Sequence, residues 1–313
     1  MVQIQKVWFV TGTSSGFGKR LVASVLNRGD RVIATARSLE NIQFLRSLPG
    51  ANPSTLRLMK LDIADNVETI QQVVDDAFSV WGRIDVLVNN AGYGLKATIE
   101  EGGSLAAMTQ FQTNVFGVIN VTNAIIPRMR ERRSGTIVIV GSRSGWNPAM
   151  PPVGEKPIIH NMSNFGTLNI TISGFYSASK AAIHAIGETY STELAPFSIR
   201  VTVVIPGSFR TEKVLGQPMT IHKHVPEYDE LRANAAQKFA ALAGNERGDP
   251  VKAMELLVDV VRGEGKAYGK EWPMWLFMGK DAYRDVKNKC DRVLKTLDAW
   301  EDVATDLEFD NLY

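Results

Sequence analysis

Apolar residues along this chain come in short runs, each closing on a turn and most followed by a stretch with helical spacing. Val7–Val10 is the first, four residues that read as a buried strand. Arg31–Arg37, Leu56–Asp62, Ile84–Val88, Gly135–Val140 and Ile199–Ile205 repeat the signal. Between them lie helical patterns at Lys19–Asn27, Asn66–Trp81, Met108–Arg130 and Tyr176–Pro196. The second of these sets Val67, Ile70, Val73, Val74 and Ala77 on one face. Six strands alternating with helices predict an α/β fold on a doubly wound, mostly parallel sheet. Beyond residue 211 a helix is expected from Tyr228, and Asp249-Pro250 supplies an N-cap and first-turn proline for another through Val261. Trp275–Met278 is a candidate seventh strand, Asp281–Trp300 a closing helix, and the acidic stretch Glu301–Tyr313 an end expected to fray. With no internal repeat and no linker, the chain reads as one domain, 1–313: a core over 1–211 interrupted by an insertion at 146–175, then a segment over 212–313.

Composition narrows the setting. The net charge of +2, from 35 basic against 33 acidic residues, includes no basic run, which argues against nucleic acid and anionic membrane as partners. Cys290 is the only cysteine, so the chain holds no disulfide framework and no cysteine-based metal site. A reduced, cytoplasmic location is the natural expectation. No run reaches the eighteen or so apolar residues of a membrane span, so no integral membrane association is expected. Of His160, His184, His222 and His224, the pair His222-Lys-His224 has no carboxylate or cysteine partner at ligand spacing, so the histidines read as surface residues, with no metal expected.

The candidate chemistry sits where strands end. The first strand runs into Thr11-Gly12-Thr13-Ser14-Ser15-Gly16-Phe17-Gly18 and then a helix. Strand, glycine-rich turn and helix form the context in which a pyrophosphate meets free amides at a helix N-terminus. The second strand ends in Ala36-Arg37-Ser38, with no carboxylate for a ribose 2′-hydroxyl. A guanidinium there suits a 2′-phosphate instead. Asp62-Ile63, Asn89-Asn90-Ala91-Gly92, Ser142 and Pro206-Gly207 through Thr211 lie at the other carboxyl ends, where such folds bind ligands. Asn114 is a mild misfit inside a helix. Tyr176 and Lys180 stand one turn apart on one helix face. Bringing a phenol from its free pKa near 10 to about 7 takes roughly 4 kcal/mol, and a neighbouring ammonium is a compact source. A phenol so tuned can pass a proton to or from a carbonyl or alcohol oxygen. The plainer reading makes Tyr176 a packing residue and Lys180 a solvated charge.

Taken together, Thr11-Gly-x-x-x-Gly-x-Gly18, Asn89–Gly92, Asn114, Ser142, Tyr176-x-x-x-Lys180 and Pro206-Gly207 with Thr211 resemble the classical short-chain dehydrogenase/reductases. The likeness covers about two-thirds of the chain and is nearest to NADP(H)-preferring carbonyl reductases related to steroid and retinol dehydrogenases. It implies a Rossmann-type fold and a small carbonyl or alcohol substrate. Tyr176 would be the acid/base, Lys180 its partner and holder of the nicotinamide ribose, and Ser142 would hydrogen-bond the substrate oxygen. Asn114 would hold a water relay to Lys180. Gly12 to Gly18, Arg37, Ser38, Asp62, Ile63, Asn90, Ala91, Gly92, Pro206, Gly207 and Thr211 would line the cofactor site, together with Tyr176 and Lys180. A homodimer or homotetramer through the Met108–Arg130 and Tyr176–Pro196 helices is implied too.

Two departures from that pattern matter. The family places its serine about a dozen residues before the tyrosine, whereas 34 positions separate Ser142 from Tyr176 here. Ser163 has the family spacing and Ser144 is a neighbour. Ser142 is preferred because it follows the strand directly and Gly145 follows it. The glycine-rich turn also has no basic residue before Gly16, which leaves Arg37 as the main pointer to NADP(H). Two rival readings stand beside the oxidoreductase: an NADP-sensing binding protein without turnover, and a lyase or epimerase on the same fold.

Overall fold

The computed structural model describes residues 5–148, 172–212 and 218–309. Seven strands form one sheet: β1 (Val7–Val10), β2 (Arg31–Ala36), β3 (Leu56–Lys60), β4 (Val86–Asn89), β5 (Gly135–Val140), β6 (Ile199–Pro206) and β7 (Trp275–Met278). Their order is β3-β2-β1-β4-β5-β6-β7. Every pairing is parallel, from Val7 opposite Arg31 to Pro206 opposite Met278. The candidate seventh strand is therefore real and extends the sheet at one edge.

A parallel sheet is covered on both faces, which is why its strands read as unbroken apolar runs. β1 shows this residue by residue. Val7 and Phe9 enter one core with Ile70 and Val74 of α2 (Val67–Trp81), Val121 and Ile125 of α4 (Gly117–Glu131), and Ile183 of α6 (Gly174–Leu194). Trp8 and Val10 enter the other with Leu21 and Val25 of α1 (Gly16–Asn27) and Leu257 and Val258 of α8 (Pro250–Arg262). The strand order reverses between β1 and β4, so a crevice opens at their carboxyl ends. That places the glycine-rich turn beside Asn89–Gly92.

Two segments differ from the sequence expectation, and a third lies largely outside the described residues. The single helix read at Met108–Arg130 is three pieces: α3 (Ile99–Phe111), a π-helical turn at Gln112–Phe116, and α4. The misfit Asn114 lies in that π turn, a form of helix that is often found at functional sites. The closing helix, α9 (Lys280–Ala304), runs past Trp300 into the stretch expected to fray. The insertion at 146–175 is framed by α5 (Arg143–Trp146) and the start of α6; its residues 149–171, with Ser163 and His160, lie outside the described residues. α7 (Asp229–Leu242) completes the elements.

Candidate active site

β5 delivers Ser142 and α6 delivers Tyr176 and Lys180, and all three meet at the carboxyl edge of the sheet. Ser142 caps α5, its hydroxyl accepting from the Ser144 amide at 3.1 Å. The Ser142 and Tyr176 side chains are hydrogen-bonded to each other. Ser144, the neighbouring contender, is tied to Ser142 through its backbone amide. Lys180 is buried and its Nζ donates to the Val140 carbonyl at 2.7 Å. It stands 5.9 Å from the centre of the Tyr176 ring.

The electrostatics differ from the expectation in one respect. Tyr176 was expected to be lowered by Lys180; here its phenol is raised above the ordinary value. Burial is the main cause, and the Ser142 hydrogen bond and the Arg143 charge oppose it. Burial also lowers Lys180, to about 8. Desolvation disfavours each group's charged form, so phenol and amine both shift toward neutrality.

Asn114 clamps the loop after β4. Its Nδ2 donates to the Tyr93 carbonyl at 2.9 Å and to Ser179 Oγ at 3.1 Å, and its Oδ1 accepts from the Tyr93 amide at 3.1 Å. A Cβ on Gly92 would come within 3.1 Å of Asn114 Oδ1 and 3.6 Å of Lys180 Nζ. Asn114 and Lys180 therefore face one small space. A Cβ on Gly94 would come within 3.4 Å of the Tyr176 ring.

The sequence reads His184 as a surface residue, and the structure corrects this. It lies one turn beyond Lys180 on the same face of α6, is buried, and its Nε2 accepts the Ser142 amide at 3.2 Å. Burial and the Lys180 charge lower its pKa to about 4, so the ring is neutral. A Cβ on Gly141 would fall 2.3 Å from His184 Nε2, and one on Gly145 2.7 Å from its Cε1. The i, i+4, i+8 spacing of Tyr176, Lys180 and His184 was the available signal. His222 and His224 are exposed as expected. No cluster of metal-ligating side chains occurs among the described residues.

The glycine-rich turn passes a test for a bound dinucleotide. Gly12 has φ +69°, and a Cβ there would sit 2.7 Å from Ala91 Cα. A Cβ on Gly18 would sit 2.3 Å from the Gly12 carbonyl oxygen. Asn90 stitches the turn to β4, its Nδ2 donating to the Thr11 and Gly12 carbonyls at 2.9 Å each. Thr13 is buried with its amide bonded to Thr35, Phe17 packs edge-on against Phe209, and Ser14 and Ser15 are half-buried. The Gly16 amide donates to the Glu212 carboxylate at 2.9 Å, and Arg20 of α1 joins that carboxylate at 3.0 Å. The carboxylate stands in for a phosphate oxygen: the amide at the head of α1 already holds an anion. Arg37 is exposed at the tip of β2 beside half-buried Ser38, and its charge reaches the Tyr93 phenol. Asp62 closes a turn onto the Ala64 amide at 3.0 Å, with Ile63 buried beside Gly117. Thr211 lies alongside Gly16.

The Pro206-Gly207 loop is tied to the last helix, which the sequence did not suggest. Asp281 of α9 accepts the Ser208 amide at 2.6 Å, and a Cβ on Gly207 would overlap its Oδ1 at 1.9 Å. Arg143, next to Ser142, pairs with Asp285 and reaches Asp281 at 3.5 Å and Ser208 Oγ at 3.2 Å. One guanidinium thus joins the serine loop, the Pro206 loop and α9.

Residues 6–153 and 148–217 match the profile of the short chain dehydrogenase family. The chain is 30% identical over 300 residues to oxidoreductase BOA17 of Botryotinia fuckeliana, covering 96% of this chain and 98% of that protein. It is 29% identical over 276 residues to retinol dehydrogenase 8 of Homo sapiens, covering 84% and 80%. The crystal structure of a short-chain dehydrogenase from Streptomyces avermitilis superposes with a TM-score of 0.76 at 31% identity, over 98% of this chain and 100% of that one.

Proposed function

The chain belongs to the short-chain dehydrogenase family of oxidoreductases, and from that premise we propose that it uses NADP(H) to reduce a mostly apolar ketone or aldehyde, or to run the reverse reaction on a secondary alcohol. The observation that carries this reading is the hydrogen-bonded Ser142–Tyr176 pair with Lys180 buried behind it, at the sheet edge that also carries the glycine-rich turn. Bound nicotinamide supplies or accepts the hydride. Gly12 to Gly18 would hold the pyrophosphate, Arg37 and Ser38 the 2′-phosphate, and Asp62 and Ile63 the adenine. Asn90, Ala91 and Gly92 would wall the cleft, with Lys180 at the ribose and Pro206, Gly207 and Thr211 at the carboxamide.

Ser142 orients the substrate oxygen, and Tyr176 gives it a proton in reduction or takes one in oxidation. A raised phenol suits the donor role, since the group stays protonated near neutral pH until the new alkoxide demands the proton. Lys180 and Asn114 would restore that proton. Residues 212–313 would build the substrate wall, and α4 and α6 a homodimer or homotetramer contact in the cytoplasm.

The test is a carbonyl panel followed by NADPH absorbance, on the protein and on Tyr176→Phe. We expect turnover to fall by at least a thousandfold in the variant while NADPH binding is retained. Tight NADPH binding with no turnover on any substrate would indicate a sensing protein instead. Product formed without net NADPH loss would indicate a lyase or epimerase.

A further inference from the structure

The last helix carries a surface that the rest of the described structure leaves uncovered. Along α9, Val286, Cys290, Val293, Leu297, Trp300 and Ala304 follow one another at alternating spacings of four and three. That alternation is the seam of a two-stranded coiled coil. Leu294 and Val303 flank it. The first turns of α9 rest on the body, through buried Ala282 and Asp285 and through Tyr283 against Phe277. Arg292 makes a last tie, donating to Asn147 at 2.9 Å. From Val293 to Ala304 every residue is exposed, Leu297 and Trp300 at 61% each. A solvated helix of this length is marginal in water without a partner for its apolar face.

Charge along α9 says what that partner is. From Val286 to Lys295 there are four basic residues, Lys287, Lys289, Arg292 and Lys295, against Asp291 alone. From Thr296 to Phe309 there are five acidic residues, Asp298, Glu301, Asp302, Asp306 and Glu308, and no basic one. A helix with one basic half and one acidic half is complementary to itself only when a second copy runs the other way. A parallel copy would set like charge on like. The acidic half also repels an anionic lipid surface.

We propose that α9 pairs with α9 of a second copy of this chain as an antiparallel, two-fold coiled coil. In the register that keeps every layer inside the helix, Val286 faces Ala304 of the second copy, Cys290 faces Trp300, and Val293 faces Leu297. Lys287 then meets Glu301 across the seam, and the two Leu294 side chains meet near the two-fold axis. The pairing is independent of the proposed chemistry and of any contact through α4 and α6.

The test is sedimentation equilibrium on the full chain and on Val293→Glu/Leu297→Glu. Both residues are exposed, so folding and NADPH binding serve as controls and should not change. The assembly mass should halve in the variant, and Trp300→Cys should form disulfide-linked dimers through Cys290 that Cys290→Ser/Trp300→Cys does not. A wild-type monomer at tens of micromolar, or an unchanged variant mass, overturns the proposal. So does cross-linking of wild-type Cys290 to its own copy, which requires parallel helices. Hydrogen-exchange protection of 293–304 in a monomer would assign the face to residues 149–171 of the same chain. Binding to phosphatidylcholine/phosphatidylserine vesicles that Val293→Glu/Leu297→Glu abolishes, with no change in mass, would assign it to a membrane.

Discussion

At the scale of single residues, His184 is the clearest addition to what the sequence showed. It holds Ser142 by its amide, while Tyr176 meets the same serine through the side chain. Its imidazole falls from an ordinary 6.5 to about 4, so the unfolded chain binds a proton across that window that the folded chain refuses. Stability should therefore drop as pH falls from about 6.5 to about 4, by on the order of 3 kcal/mol. His184→Gln keeps an acceptor near the Ser142 amide without that proton, and urea melts from pH 7 to 4 should show the drop flattened. Arg37 carries a separate expectation. Arg37→Glu offers a carboxylate to a ribose hydroxyl and repels a 2′-phosphate, so kcat/KM should swing from NADPH toward NADH by about a hundredfold or more. That Tyr176, Lys180 and Ser142 come together was legible, because the proposed chemistry would demand particular residue types at particular strand and helix ends. The direction of the Tyr176 shift was not, because burial is a property of everything packed around the phenol. A four-residue spacing does not report it.

At the scale of elements, the glycine-rich turn and Glu212 make one device. Glu212 holds the Gly16 amide and the Arg20 guanidinium, which keep its carboxyl down at about 2. A dinucleotide phosphate seated at that turn would need the same amide, so the carboxylate would have to leave as it arrived. Glu212→Ala should tighten NADPH binding by about three- to tenfold, read by fluorescence titration, because one competing charge-assisted bond is gone. The turn itself was readable from Gly12, Gly16 and Gly18: a Cβ has no room at Gly12 or Gly18, and Gly16 sits at φ +58°. Its competitor lies 196 positions away and could not be read. The helix around Asn114 shows the converse. Its apolar spacing predicted a continuous helix over Met108–Arg130, yet the side chain's three bonds to Tyr93 and Ser179 accompany a π turn. The misfit residue marked the place, while periodicity hid the form.

At the scale of the whole molecule, the six apolar runs and the helices between them predicted the parallel sheet, and Trp275–Met278 completes it as a seventh strand. What stayed hidden is that the end of the chain closes back on its chemistry. Asp281→Ala would free the Ser208 amide and remove one of the Arg143 carboxylates. We expect KM for NADPH to rise on the order of tenfold with a smaller change in kcat, together with a lower Tm. Steady-state kinetics and a thermal melt check both. Anyone seeking a new substrate range by grafting the final hundred residues of a relative onto this scaffold would be replacing two carboxylates that brace the Ser142 loop through Arg143 and the Pro206 loop opposite it. A chimera should keep its turnover only if the donor segment brings acids at the positions of Asp281 and Asp285, whatever pocket it carries.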